Sequence, residues 1–239
     1  MGSTEESAKL RAARAAAELV QSGMTVGLGS GTTAAHLVQR LGERVRDEGL
    51  RFVGVPTSLA TSELARGLRI PLRELDDVDA LDINLDGADE VDPQFRMIKG
   101  RGGALLREKI VACVARKRVT IITQEKRVAN LGQKAPLPVE VSPVGLRHTE
   151  RRLKALGAET RIRTVPAGVP FLTDGGNAII DCTFTGRFEP EELDATLQSV
   201  VGVFETGLFL GLCDLLIVGT GEGVDQVPAA GLRNRGCGG

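Results

Sequence analysis

The chain has 239 residues, 42% hydrophobic and 26% charged, enough apolar material for one large domain or one domain with a smaller one attached. Thirty Lys and Arg against 31 Asp and Glu leave a formal net charge of −1. Seven Phe stand with no Trp or Tyr, so neither a broad basic face for nucleic acid or membrane nor an aromatic stacking platform is present. No apolar run reaches the ~18 residues of a membrane span. The start, MGSTEESAK, lacks the basic-then-apolar pattern of a secretory signal, and Cys113, Cys182, Cys213 and Cys237 form no CxxC pair beside only two histidines. The expectation is a cytoplasmic protein with reduced, mostly packing cysteines and no metal site.

Residues 5–21, rich in Ala, Glu, Arg and Leu, predict a helix that carries Lys9, and Ser22-Gly23 ends it. MTVGLG predicts a buried strand, and SGTTAAHLVQRLGERV a loop leading into a helix. Gly27, Gly29 and Gly31 look superficially like a dinucleotide loop. Thr32 replaces the third glycine of GxGxxG, however, and no acidic residue ends the next strand, RFVGVPTS, so NAD is discounted. Ser30, Thr32 and Thr33 instead offer hydroxyls beside helix N–H groups, an arrangement suited to a single phosphate. His36 reads as a packing residue of that helix. RFVGV (51–55) is followed by a helix over SLATSELARGL, a short strand at PLREL and another at LDINLD.

The densest stretch is residues 84–109, NLDGADEVDPQFRMIKGRGGALLREK. Asp86 and Asp89 fall at a strand end and in the turn after it. Lys99 opens KGRGG, where Gly100, Gly102 and Gly103 allow positive φ and close backbone approach. Leu106, Ile110, Cys113 and Val114 recur at helical spacing, which predicts a helix over 103–117 with Glu108 in its early turns, off the apolar stripe. Taken singly, a DG pair is a turn, KGRGG a loop and Glu108 a solvated helix residue. Their joint occurrence in 26 residues points to a site. RVTIIT (118–123) is a further strand, with Lys126 at its exit. Strands alternating with helices imply a parallel sheet with right-handed crossovers and a site at the strands' C-terminal ends.

KAPLPVEVSP, punctuated by prolines, predicts a crossing between domains. After it come a helix (RHTERRLKALG), a strand (ETRIRTV), a hairpin (FLTDGGNAIIDCTF) and a helix (PEELDATLQSV), the pattern of a small α+β domain. GLFLG and CDLLIVG are expected to return to the parallel sheet, and RNRGCGG to form a frayed tail. The expected division is 1–133 with 205–239 for an α/β domain, a Rossmann-like open parallel sheet with helices on both faces, and 134–204 for a smaller, ferredoxin-like one.

NLDGADEVD followed by KGRGGALLREKIVA resembles the signature of the type A ribose-5-phosphate isomerase family. GLGSGTTAAH, VPTS, PLPVEV, TDGGNAIIDC and GVFETGLF extend the resemblance over nearly the whole chain. It implies interconversion of D-ribose 5-phosphate and D-ribulose 5-phosphate in the non-oxidative pentose phosphate pathway, without metal or organic cofactor. Glu108 matches the family's catalytic base. Asp86, Gly87, Ala88 and Asp89, and Lys99, Gly100, Arg101 and Gly102, match substrate-binding segments. Ser30, Gly31, Thr32 and Thr33 match another, Lys126 a binding lysine, and Lys9 an N-terminal lysine linked to the site. The chemistry fits these types: one carboxylate can carry a proton from C2 to C1 across an enediolate, Lys99 can stabilise the oxyanion, and Asp86 can assist with hydroxyl protons. The family likeness also implies a homodimer or homotetramer. Arg101 stands where many relatives carry glycine, and Thr123 where an aspartate often precedes Lys126. The rival readings are a sugar-phosphate sensor domain, which would not need Glu108, and a sugar-phosphate deaminase, which would be expected to use a histidine.

Overall fold

The computed structural model describes residues 2–229. The expected tail RNRGCGG therefore lies outside the described residues. In chain order the elements are α1 (Gly2–Ala17), β1 (Thr25–Leu28), α2 (Thr32–Asp47), β2 (Val53–Pro56), α3 (Leu59–Gly67), β3 (Ile83–Gly87), β4 (Glu90–Val91), β5 (Met97–Ile98) and α4 (Leu105–Cys113). They continue with β6 (Arg118–Thr123), β7 (Leu137–Val141), α5 (Leu146–Ala155), β8 (Ala158–Ile162), β9 (Ala178–Phe184), α6 (Pro190–Gln198), β10 (Val203–Thr206), β11 (Leu208–Phe209), β12 (Leu215–Gly219) and β13 (Val224–Pro228). Two compact units result. Among the described residues no helix is long and apolar enough to cross a membrane.

Among the described residues the larger unit takes 2–88, 107–126 and 211–229. Its sheet has the order β13-β12-β6-β3-β1-β2, parallel throughout except for the antiparallel β12–β13 edge. Strand β6, RVTIIT, is buried along its whole length, the pattern of a strand covered on both faces. Buried Arg118 at its start is closed off by Asp214, whose carboxylate accepts from the Arg118 N–H (2.7 Å), Nε (2.9 Å) and Nη2 (2.9 Å). Strand alternation divides the apolar side chains. Val26, Leu28, Ile83, Leu85, Val119 and Ile121 pack with α1, α2 and α3, whereas Val55 packs with Leu81 and with Val111 of α4. Helix α1 approaches β12 so closely that a Cβ on Gly219 would lie 2.1 Å from the Ala8 carbonyl. Because the strands are parallel, the exits of β1, β3 and β6 share one edge of the sheet.

The smaller unit takes Asp89–Leu106 and Arg127–Leu210. Its main sheet, β10-β7-β9-β8, is antiparallel. With α5 and α6 it runs β-α-β-β-α-β, the ferredoxin-like arrangement. Leu137, Val139, Val141, Ala178, Ile180 and Cys182 bury one face against Leu153 and Leu197 of the helices. The other face carries Pro138, Asp181 and Arg161 in one register row. A separate three-stranded sheet has the order β11-β5-β4.

Four local expectations are corrected. The proline-punctuated stretch is not a crossing: residues 137–141 form β7, paired on both sides. Its prolines are tolerated because the Pro138 carbonyl still accepts, from the Gly207 N–H at 2.7 Å. GLFLG does not return to the parallel sheet; Leu208 and Phe209 pair with β5. PLREL gives only a single bridge, Leu72 to Gly54, where the missing Gly54 side chain leaves room for Leu72. Cys182 and Cys213 are free and buried, but Cys113 is disulfide-bonded rather than reduced.

Candidate active site

In the larger unit the β1 exit meets the β3 exit through one carboxylate. Asp86 Oδ1 accepts the Ser30 N–H at 3.0 Å and the Gly87 N–H at 2.7 Å. Glycine is required at position 29, because a Cβ there would sit 2.1 Å from Asp86 Oδ1. Ser30 Oγ is held by three hydroxyls: Thr57 Oγ1 at 2.8 Å, Ser58 Oγ at 2.8 Å and Thr61 Oγ1 at 3.3 Å. Thr57 and Thr61 are buried and anchored in turn, donating to the carbonyls of Leu28 (3.1 Å) and Gly29 (2.9 Å). In the sequence, VPTS stands out only as a supporting motif, and the spacing of the Thr57, Ser58 and Thr61 hydroxyls is the signal that marks them.

Gly31, at φ 91° and ψ 179°, is the N-cap of α2. The Ala35 N–H is the first to find a helical acceptor, Gly31 O at 2.9 Å, so the N–H groups of Thr32, Thr33 and Ala34 precede the helical ladder. Backbone donors, the helix dipole and the threonine hydroxyls together make this end of α2 suited to an anion. Glu108 lies on α4 and is 6% exposed, so it is not the solvated helix residue that its position off the apolar stripe suggested. Asn84, two residues before Asp86 and equally buried, places Oδ1 where a Gly27 side chain would be. Lys126 ends a short 3-10 turn after β6 and is half-buried. Lys9 is ion-paired to Glu5 along α1 at 2.9 Å. His36 Nε2 lies 2.7 Å from a Glu6 carboxylate oxygen and joins α2 to α1.

In the smaller unit Lys99 is 5% exposed, with Nζ 5.3 Å from the centre of the Phe209 ring. Its N–H donates to Gly207 O at 2.9 Å, and a side chain on Gly207 would collide with Lys99 O. The turn after it is tied from both sides. Asp89 Oδ2 accepts the Arg101 N–H at 3.0 Å, and Arg163 Nη1 donates to Gly100 O (3.0 Å) and Arg101 O (3.1 Å). Arg163 is fixed by a two-pronged pair with buried Asp181, with Nε to Oδ2 at 3.1 Å. Gly100 adopts φ 106°, whereas Gly102 is simply exposed. Arg163 and Asp181 were not picked out from the sequence; only the pairing of β8 with β9 brings them together.

Backbone donors and hydroxyls at one strand exit, with the buried Asp86 carboxylate beside them, fit an enzyme class that handles an anionic, hydroxyl-rich small molecule. Comparison with known proteins sharpens this. A family model described as Ribose 5-phosphate isomerase A (phosphoriboisomerase A) matches residues 53–223. Ribose-5-phosphate isomerase A of Thermomicrobium roseum is 51% identical over 220 residues, covering 92% of each chain. That of a Roseiflexus species is 48% identical, covering 93% of this chain and 96% of its own. The structure of ribose 5-phosphate isomerase A from Methanocaldococcus jannaschii superposes with TM-score 0.89 at 41% identity, covering 94% of this chain and 99% of that one. A D-ribose-5-phosphate isomerase in complex with phospho-erythronic acid gives TM-score 0.89 at 39% identity, covering 92% and 97%. The chain belongs to the ribose 5-phosphate isomerase A family and is an isomerase.

Proposed function

We propose the following division of labour for the interconversion of ribose 5-phosphate and ribulose 5-phosphate. Glu108 takes the proton from C2 of the open-chain aldose and returns it to C1, moving the carbonyl through an enediolate. Lys99 stabilises the oxyanion that develops on the substrate oxygen. Asp86 and Asp89 hold hydroxyls and assist ring opening, with Gly87 and Ala88 shaping the turn between them. Ser30, Gly31, Thr32 and Thr33 receive the phosphate at the end of α2. Gly100, Arg101 and Gly102 frame the sugar, and Lys126 and Lys9 add positive charge. Binding energy from the phosphate then serves orientation at the distant carbons. No cofactor enters this scheme.

The observation that carries the reading is burial. Asp86, Lys99 and Glu108 are ionisable, yet only 4%, 5% and 6% exposed. Ionisable side chains hidden to that degree are paired, as Glu90, Arg118 and Asp181 are, or serve a task, and Asp86, Lys99 and Glu108 lie in the segments by which the chain resembles the isomerase family. The phosphorylated sugar acid held by the related isomerase supports a phosphorylated sugar as ligand here. The sensor and deaminase readings are not favoured, since relatives matching nearly end to end are isomerases. The deciding experiment is exchange of the C2 hydrogen of ribose 5-phosphate with solvent in Glu108→Gln. Exchange at a near-normal rate would remove Glu108 as the base and leave Asp86 as the next candidate.

We place the enzyme in the cytoplasm as a homodimer or homotetramer. Val144, Val201 and Phe204 of the smaller unit, 84%, 86% and 50% exposed, support self-association. A monomeric mass by light scattering would refute it.

A further inference from the structure

The smaller unit holds a cavity of about 330 Å³ whose charged lining is Asp89, Arg101, Lys134, Arg161, Arg163 and Asp181. Four cations face two carboxylates. Arg163 and Asp181 close on each other, and one oxygen of Asp89 is taken by the Arg101 N–H. Neither the Arg101 nor the Arg161 guanidinium has a carboxylate partner among the described residues, so both present uncompensated charge. Arg161 shares a register row with Asp181 and Pro138, which places it on the sheet face opposite α5 and α6. Ala135, Pro136 and Pro138 supply an apolar wall. The floor is stiff: fully buried Glu90 accepts the N–H groups of Gly132 (2.6 Å), Ala135 (2.7 Å) and Lys134.

We propose that this cavity is a second anion site, additional to the 30–33 loop, which binds a phosphomonoester dianion. Two guanidinium forks suit phosphate oxygens, and two uncompensated cations match a dianion. The volume lies at the lower end of small-molecule sites, and the proline wall fits the carbon skeleton of the ester. The site adjoins the turn that carries Lys99, because Arg101 and Arg163 belong to both.

The test is calorimetric titration of the full chain with inorganic phosphate and with glycerol 3-phosphate at low salt. Wild type is expected to titrate two sites. Arg161→Glu should weaken one of them by at least about tenfold while keeping wild-type turnover in phosphate-free buffer. Thr33→Ala should keep the cavity site and lose the other. Loss in Arg161→Glu with no change in Thr33→Ala would support the cavity and refute the phosphate role of the 30–33 loop. Unchanged titration in Arg161→Glu, or equal displacement by chloride at matched ionic strength, would overturn the proposal. Lys134→Ala, a milder surface change, answers the same question if Arg161→Glu fails to fold.

Discussion

Asp86 accepts a hydrogen bond from the backbone N–H of Ser30 at 3.0 Å across 56 residues of sequence. One carboxylate therefore fixes the start of the 30–33 loop, at the exit of β1, to the end of β3. The close approach depends on glycine at position 29.

Gly29→Ala should break this relationship. The new methyl would lie 2.1 Å from Asp86 Oδ1 and 2.6 Å from Asp86 Cα, so backbone has to move. Overpacking of this kind costs ~1–3 kcal/mol. A lower melting temperature together with a fall in kcat/KM is expected. Gly67→Ala, which has nothing within 4 Å, is the control and should leave both unchanged. Equal behaviour of the two variants would show that the loop adapts freely.

Glu108→Gln should nearly abolish turnover while the fold persists. Glutamine keeps the shape but cannot accept the C2 proton, and a positioned base contributes about 10²–10⁴-fold. A mere surface glutamate would give a change within ~0.5 kcal/mol of stability and none in rate. Steady-state kinetics and a thermal melt on the same preparation separate the cases.

Arg163→Ala should reduce both stability and catalysis. It strands the Asp181 carboxylate, 6% exposed, and releases the carbonyls of Gly100 and Arg101. Breaking a buried pair costs ~3–5 kcal/mol. Arg163→Lys keeps the charge but not the fork, so it should recover the melting temperature more than kcat. If Lys restored kcat fully, the carbonyl contacts would be unimportant for placing Lys99.

The thiols of Cys182 and Cys213 should resist alkylation in the native protein. Burial, the larger cause, with Asp181 and Glu150 beside it, pushes Cys182 up to about 12. Burial, against a hydrogen bond from Thr120 and with Asp214 beside it, pushes Cys213 up to about 11. Because the folded values are raised, the unfolded chain loses these protons first as pH rises past the usual thiol value of 9.0. Their contribution to stability is complete below that value and declines above it. Mass spectrometry after iodoacetamide at pH 8, with and without denaturant, checks the first point. Rapid native labelling of either cysteine would contradict it.

Exhaustive chelation should leave turnover intact, since a carboxylate and an ammonium group can carry the proton transfer and the oxyanion. A large loss restored by a divalent ion would count against the scheme.

The parallel sheet was legible because its strands announce themselves: RVTIIT is a β-branched run buried along its whole length, and the glycines of GLGSG mark a strand exit. The same held for Asp86, whose DG turn falls where a strand must end. Strand β7 was hidden by its prolines, which usually argue against a central strand. Strands β4 and β5, two residues each, are too short for periodicity, and β5 finds its partner β11 more than a hundred residues away. Arg163 and Asp181 were invisible for a related reason. Their pairing follows from register, and neither of the two arginines in ETRIRTV carries a local mark of it.

Asp89 and Glu90 are chain neighbours that hold different loops, Asp89 the turn at Arg101 and Glu90 the segment 132–135. A displacement of either segment is thus felt at the same peptide. Any effect that a ligand seated against Lys134 and Arg101 has on the affinity for a sugar seated on the Lys99 turn is returned by the sugar as the same factor. That factor can be measured from either side, by titrating the anion with sugar present or the sugar with anion present.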